Sequence, residues 1–278
     1  MPSPTALKTL TDRLHISHSQ IFTYLNCSLK YQFRYVLKLP PERVSLALPF
    51  GSAIHKAIEV YYRSLIEGKE ASLKQLQELF SDHLSQELNE KSEKIVYKKD
   101  APDRDSAITL GCGMLGAFHQ NADLKGYRVI AVELPLAATL YMTDGTPTDI
   151  DLIGVIDLLI EGQSGSLVVV DHKTAARAKS QSEVDADLQM TAYTYLLAAN
   201  RYVFPTASVQ CRFDVLRKLK TPKLEHYHTR RGASERRRLA RIATGVLAGI
   251  EASAFIPSRS WMCADCEYAI ACAGWHNE

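Results

Sequence analysis

Apolar positions recur at helical spacing through the first 125 residues. Ser17 or Ser19 can cap a helix that begins with Ile21, Tyr24 and Leu25, continues through Phe33 and stops before Pro40–Pro41. Gly51 to about Leu65 reads as a second helix. Leu73, Leu76, Leu79, Phe80, Leu84 and Leu88 mark a third, and Ala107–Asn121 a fourth. The pattern then changes. Val129–Tyr141 is rich in β-forming residues, and Asp149–Ile160 alternates in part before the turn sequence EGQSG. Leu167–Val170 is the short, continuous apolar run of a buried strand. Leu188–Ala199 returns to helical spacing, Ala207–Leu216 reads as a strand, and Ser234–Ala252 as a basic, alanine-rich helix. The expectation is one α/β chain in three stretches: a mainly helical part at 1–125, a sheet core at 126–232, and a basic helix with a cysteine-rich tail at 233–278.

Composition narrows the class. Apolar residues make up 46% of the 278, enough for a substantial core, and charged residues 23%. A net charge of +2 does not by itself point to nucleic acid. Positive charge is concentrated in Arg217–Lys223 and Arg230–Arg241, which are solvated faces or, beside a phosphodiester-cleaving site, phosphate contacts. The first residues, MPSPTALKTLTDRLHIS, lack the apolar segment of a secretory leader, and no run approaches the roughly 18 apolar residues of a membrane span. A soluble, cytoplasmic protein without a membrane partner is expected. In that setting six cysteines suggest metal ligands before disulfides. Neither a Walker-type phosphate loop nor a G-x-G-x-x-G turn occurs, so no ATPase is expected within this chain.

Candidate chemistry centres on Asp157 and on Asp171-His172-Lys173. Asp171 and Lys173 are two apart on a strand, so they share a face, and the EGQSG hairpin can bring Asp157 beside them. Two carboxylates and a lysine at the end of buried strands are costly unless neutralised, and a hard divalent cation suits them. Such an ion can polarise a phosphodiester. Alone, the D-x-K pair reads as a structural salt bridge at a strand end. His55 alone reads as a structural histidine, and Gln189 and Tyr193, four apart on a helix, as an ordinary shared face.

In order along the chain, these residues resemble the nuclease domain of RecB and its relatives, a PD-(D/E)XK family. The matching text is SHSQIFTYLNCSLKYQFRYV, then Gly51…His55, Gly154-Val155-Ile156-Asp157, VVVDHKTA around Asp171-His172-Lys173, and Gln189…Tyr193. The resemblance covers about Ser17 to Cys272. It implies a restriction-endonuclease-like fold, a central mixed sheet flanked by helices, and Mg²⁺- or Mn²⁺-dependent hydrolysis of DNA, single-stranded before duplex. His55, Asp157, Asp171 and the backbone carbonyl of His172 would hold the metal. Lys173 would be the catalytic lysine, and Gln189 and Tyr193 would position the strand. Glu133 lies where relatives often carry a glutamate, with its role open. Tyr24, Tyr31 and Tyr193 could stack on bases or serve the core. Relatives usually have Cys-Pro where this chain has Cys27-Ser28, a departure expected to matter little. A non-catalytic DNA-binding subunit is the alternative, and the complete set of site residues weighs against it. A separate helicase or CRISPR-adaptation proteins are the partners the resemblance suggests.

The cysteines give a second constellation. Cys263-x2-Cys266-x5-Cys272 is a tight soft-metal pattern beside Trp261 and Trp275, and Cys27 is the natural fourth ligand. Spacing alone leaves zinc and an iron–sulfur cluster open, with zinc slightly favoured. Several RecB-like branches, AddB-type helicase–nuclease subunits and CRISPR-adaptation exonucleases among them, place one cysteine before the nuclease core and three after it. The resemblance therefore implies a [4Fe–4S] cluster on Cys27, Cys263, Cys266 and Cys272. Cys112 and Cys211 read as ordinary buried thiols.

Overall fold

The computed structural model describes residues 14–276 apart from Lys98, Asp123 and Thr143, and apart from the side chain of Glu93. Most of the segment read as free of a secretory leader lies outside the described residues. Ser17 begins the ordered helices: its hydroxyl accepts from Gln20 N while the Gln20 side chain accepts from Ser17 N. This capping box ends strand β1 (His15–Ser17) and starts α1 (His18–Asn26). The helix expected through Phe33 is broken. It stops at Cys27, whose extended backbone caps both α1 and the short α2 (Ser28–Tyr31), and a π-helical turn follows at Gln32–Val36.

After the two-residue strand β2 (Val44–Ser45) come α3 (Ala47–Ile66) and α4 (Leu73–Glu90). The two-residue β3 (Ile95–Val96), paired parallel to β2, and α5 (Arg104–Asn121) complete this part. The period seen in the third sequence-predicted helix is the buried face of α4: Leu76, Phe80, Leu84 and Leu88. Helices α4 and α5 meet closely at Gly111, where a Cβ would lie 1.9 Å from the Phe80 ring.

The sheet follows: β4 (Tyr127–Tyr141), β5 (Pro147–Gly162), β6 (Leu167–Ala175), β7 (Val209–Arg217) and β8 (Lys223–Arg231), with α6 (Gln181–Ala186) and α7 (Leu188–Ala199) between β6 and β7. Its order is β1-β5-β6-β7-β8, with β4 on the other edge of β5. β6 and β7 run parallel, as do β1 and β5, while the remaining pairs are antiparallel, so the sheet is mixed. The EGQSG turn reverses β5 into β6, with Gly165 at φ 75° and Gly162 donating to Ser166 O. Helix α8 (Ala233–Glu251) and α9 (Ala269–Trp275) close the described chain.

Helices flank both faces. One core packs Phe50, Ile54, Phe80, Met114 and Phe118 of α3–α5 on Val132, Leu158, Ile160 and Val170. The other packs Ile21, Tyr193, Leu196, Leu239 and Val246 of α1, α7 and α8 on Leu134, Ile156, Leu159 and Val169. This is the expected restriction-endonuclease-like architecture. Val132 and Leu134 therefore face opposite cores, as do Leu158 and Ile156. Regular strands place residues two apart on one face. Both strands thus turn over between these positions, at Glu133 (φ 49°) and Asp157.

Candidate active site

Strand β6 pairs with β5 only from Leu158↔Val170 to Glu161↔Leu167, and β1 pairs with the same edge only at Asp151–Ile153. Residues 154–157 of β5 lie between these ladders. This gap holds the G-x-x-D stretch, Gly154 to Asp157. Gly154 lets α7 pack closely: a Cβ there would meet Leu196 Cδ1 at 3.0 Å and Tyr193 Cε1 at 3.4 Å, both on α7. In place of a ladder bond, His172 N donates to Asp157 Oδ2 at 2.8 Å, tying β6 to β5 across the gap.

Two sets of side chains meet here. On one side, ligand atoms of His55 (α3), Glu133 (β4) and Asp157 (β5) lie within 4.8 Å of one another, with His55 Nδ1 at 3.5 Å from Asp157 Oδ2. Burial lowers the His55 pKa, and a hydrogen bond between its ring and the His172 backbone acts against that lowering. On the other side, Asp171 is fully buried. Lys173 Nζ stands 2.7 Å from its Oδ2, and Gln189 Nε2 donates to its Oδ1 at 2.8 Å. Tyr193 OH lies 2.7 Å from Gln189 Nε2 and 3.5 Å from Asp171 Oδ1. Gln189 thus fastens α7 to the end of β6, which is what its four-residue spacing from Tyr193 accomplishes.

The electrostatics separate the acids. Burial drives the Asp171 carboxyl up to about 7 against the pull of Lys173, and Asp157 adds to the rise. Burial likewise pushes Glu133 up to about 7, helped by the charges of Asp157 and Glu59. Burial acts upward on Asp157 too, but the His172 hydrogen bond and the charges of His55, His172 and Lys173 bring it down to about 2. Burial works against the Lys173 ammonium, yet Asp171 and Asp157 outweigh it and keep the group charged.

Of the side chains expected to hold a metal, His55 and Asp157 stand together, while Asp171 lies outside that group and is bonded to Lys173 and Gln189. Glu133, whose role the sequence left open, joins His55 and Asp157. His18 is an addition: burial lowers its pKa to about 4, and Asp187 and Lys173 are the charges that act on it next. Its only sequence signal is its place directly after the capping Ser17.

The sequence matches the description "PD-(D/E)XK nuclease superfamily" over residues 15–273. The chain belongs to the PD-(D/E)XK nuclease superfamily. Among solved structures, a crystal structure from Eubacterium rectale described as a candidate exonuclease is similar in fold, with a TM-score of 0.57 and 10% identity over 96% of this chain and 92% of that one. SSO0001 aligns at 13% identity over 89% and 94% of the two chains, with a TM-score of 0.33. No curated protein matches the sequence.

PD-(D/E)XK nucleases use divalent metals such as Mg²⁺, and the donors here fit one. Two carboxylates and an imidazole converge within 4.8 Å, a donor set suited to a hard divalent ion. His55, Glu133 and Asp157 would hold it.

The basic runs divide. Arg217 is buried, bonded to Glu225 at 2.9–3.0 Å and to Ala176 O. Arg231 and Arg236 are buried and donate to backbone carbonyls. Arg230, Arg237, Arg238 and Arg241 remain exposed. Among the described residues no helix is long and apolar enough to cross a membrane.

The cysteines form a second place of interest. Cys27, Cys263, Cys266 and Cys272 line one pocket of about 420 Å³ with Leu29, Phe33 and Tyr268. All are free thiols. Burial raises the Cys272 pKa, and Cys27, Cys266 and Cys263 raise it further. Cys211 is buried and Cys112 half-buried against Ser81, as ordinary thiols. Tyr24 and Tyr31, possible stacking residues in the sequence, pack against Phe255 of the tail instead, and Tyr24 OH donates to Ala254 O. Ser28 has more consequence than expected of it. Its hydroxyl donates to Ile256 O at 3.2 Å and accepts from Ile256 N at 2.8 Å, which a proline could not do.

Proposed function

We propose that this chain is a RecB-like deoxyribonuclease that cuts single-stranded DNA from a free end with Mg²⁺ or Mn²⁺, and that Cys27, Cys263, Cys266 and Cys272 hold a [4Fe–4S] cluster. The observation that carries the nuclease reading is the gap in the β5 edge, where His55, Glu133, Asp157, Asp171 and Lys173 converge under Gln189 and Tyr193. When bound, the cation polarises the phosphodiester and offsets the charge that builds on it. Lys173, held charged by Asp171, supplies a second positive group for that oxygen charge. Gln189 and Tyr193 hold Asp171 in place from α7. Asp171 and the His172 carbonyl complete the ligand set that the family resemblance implies.

The cluster reading rests on four thiols, one of them more than 230 residues from the others, around one cavity. The choice of an iron–sulfur cluster over zinc rests on the resemblance to RecB-like branches that place one cysteine before the nuclease core and three after it. Lys30–Glu267 at 2.7 Å, Tyr268 OH to Leu39 O, and Glu42 accepting from Ile270 N and Ala271 N also bind the tail to the N-terminal helices.

A tail closed onto α1, whose first residue His18 feels the charge of Lys173, favours a threaded strand over a bulky duplex. Its single strands would come from a separate helicase or from CRISPR-adaptation proteins, and its place is the cytoplasm, where thiolate ligands stay reduced. The test compares linear with covalently closed single-stranded DNA of one sequence, with Mg²⁺, with Mn²⁺ and with chelator. Degradation of the linear form alone, lost with chelator and in Asp171→Ala, is expected. Equal cutting of both forms would make it an endonuclease with an open cleft, and no cutting of either would remove the nuclease reading.

A further inference from the structure

The middle residue of the D-x-K motif is itself unusual. His172 is 3% exposed, and its side chain lies on the face of β6 away from Asp171, towards α3 and α5. Its ring is packed by Tyr62 at 5.6 Å, by Phe118 at 6.3 Å, and edge-on by His55 at 6.3 Å. Tyr62 and Phe118 belong to an apolar core that would accept a leucine or phenylalanine here. Instead an imidazole is buried with Nε2 lacking any hydrogen-bond partner, an arrangement with a desolvation cost. Beyond its lowering of the Asp157 pKa, nothing in the chemistry described above uses this side chain.

Its surroundings suggest a purpose. His172 Nδ1 lies 3.7 Å from Asp157 Oδ2, the same oxygen that accepts from His172 N. At that distance the ring contributes electrostatics beside the hydrogen bond made by the amide. In register, His172 stands next to Asp214 on β7, and Asp214 next to His226 on β8. Asp214 is 1% exposed and bonded to His226 Nδ1 at 2.6 Å and to Arg212 Nη2 at 2.9 Å. A polar row of His172, Asp214 and His226 therefore runs across three neighbouring strands.

We propose that the His172 side chain is a positioning residue of the metal site, which together with its own amide fixes the Asp157 carboxylate towards His55 and Glu133. The proposal rests on the metal-dependent reading of that site. Groups behind a ligand commonly change metal affinity about 10–100-fold when removed. The side chain acts on the ion through Asp157 and touches no substrate.

The experiment measures Mn²⁺ binding to metal-free protein without DNA, by the loss of the free-ion electron paramagnetic resonance signal. Wild type and Asp157→Asn are the controls. Wild type should bind and Asp157→Asn should not, and if wild type fails to bind, the metal-site reading itself falls. His172→Phe, which fills the same apolar space, should bind Mn²⁺ at least about tenfold more weakly while its unfolding temperature in chelator stays at or above that of wild type. Half-maximal cleavage should need a correspondingly higher Mn²⁺ concentration. His172→Asn, which restores a polar N–H near Nδ1, should recover part of the affinity, and it serves in place of His172→Phe should that variant not fold. Wild-type Mn²⁺ affinity in His172→Phe, or in His172→Asn should that variant stand in for it, would overturn the proposal and leave His172 as core filling.

Discussion

Arg231 offers the sharpest test of how the fold supports the site. It ends β8, is 2% exposed, and is among the largest fully buried side chains. Its guanidinium donates to Thr191 Oγ1, Thr229 Oγ1, Arg230 O, Val184 O and Asp187 O at 2.5–3.1 Å. Two of these carbonyls lie where α6 ends and α7 begins, so one cation fixes the start of the helix that carries Gln189. Arg231→Met keeps the bulk and removes all the donors. Each acceptor left dry costs about 1–3 kcal/mol. The hydroxyls can rotate and the guanidinium's own desolvation is relieved, so the costs do not add. We expect a net loss of about 3–5 kcal/mol, the range for removing one partner of a buried charged contact. Arg231→Lys keeps the charge but has three donors on one nitrogen, and should lose about 1–2 kcal/mol. Loosening α7 releases Gln189 from Asp171, and a shift of about 1 Å at such a site can cost about 100-fold in rate. Urea unfolding followed by circular dichroism gives the stability, and nuclease rates at saturating metal give the function. Less than about 1 kcal/mol lost in Arg231→Met, at the wild-type rate, would refute this account.

Asp157→Ala, Asp171→Ala and Lys173→Ala should each lower the cleavage rate by about 100-fold or more while single-strand binding in chelator persists, which gel-shift and single-turnover assays check together. Anaerobically purified protein should be brown and contain iron rather than zinc by metal analysis, and Cys27→Ala should lose that iron and lower the unfolding temperature, because the ligand set joins distant parts of the chain. Gly111→Ala should cost about 1–3 kcal/mol in unfolding free energy, since its methyl would overlap the Phe80 ring between α4 and α5.

Local pattern was enough for much of this protein. The period of Leu76, Phe80, Leu84 and Leu88 defined α4, apolar spacing placed α7 at Leu188–Ala199, and EGQSG marked the turn that brings β6 alongside β5. These features are legible because each depends on neighbours within a few residues. Strand β8 was not legible: KLEHYHTRR is polar because its arginines, histidines and glutamate find partners on β7, α6 and α7 rather than burying an apolar face. The break at Cys27 was hidden for a similar reason, since the tail residue Ile256, 228 positions away from Ser28, supplies the bonds that hold the next turn. At the site, the ordered motifs named Asp157, Asp171 and Lys173. Only tertiary structure showed that Glu133 joins His55 and Asp157, that His18 lies near Lys173, and that His172 turns its ring into the opposite core. Those facts follow from strand register and from the point where β4 and β5 turn over, and register is set by packing between distant segments, which no local pattern encodes.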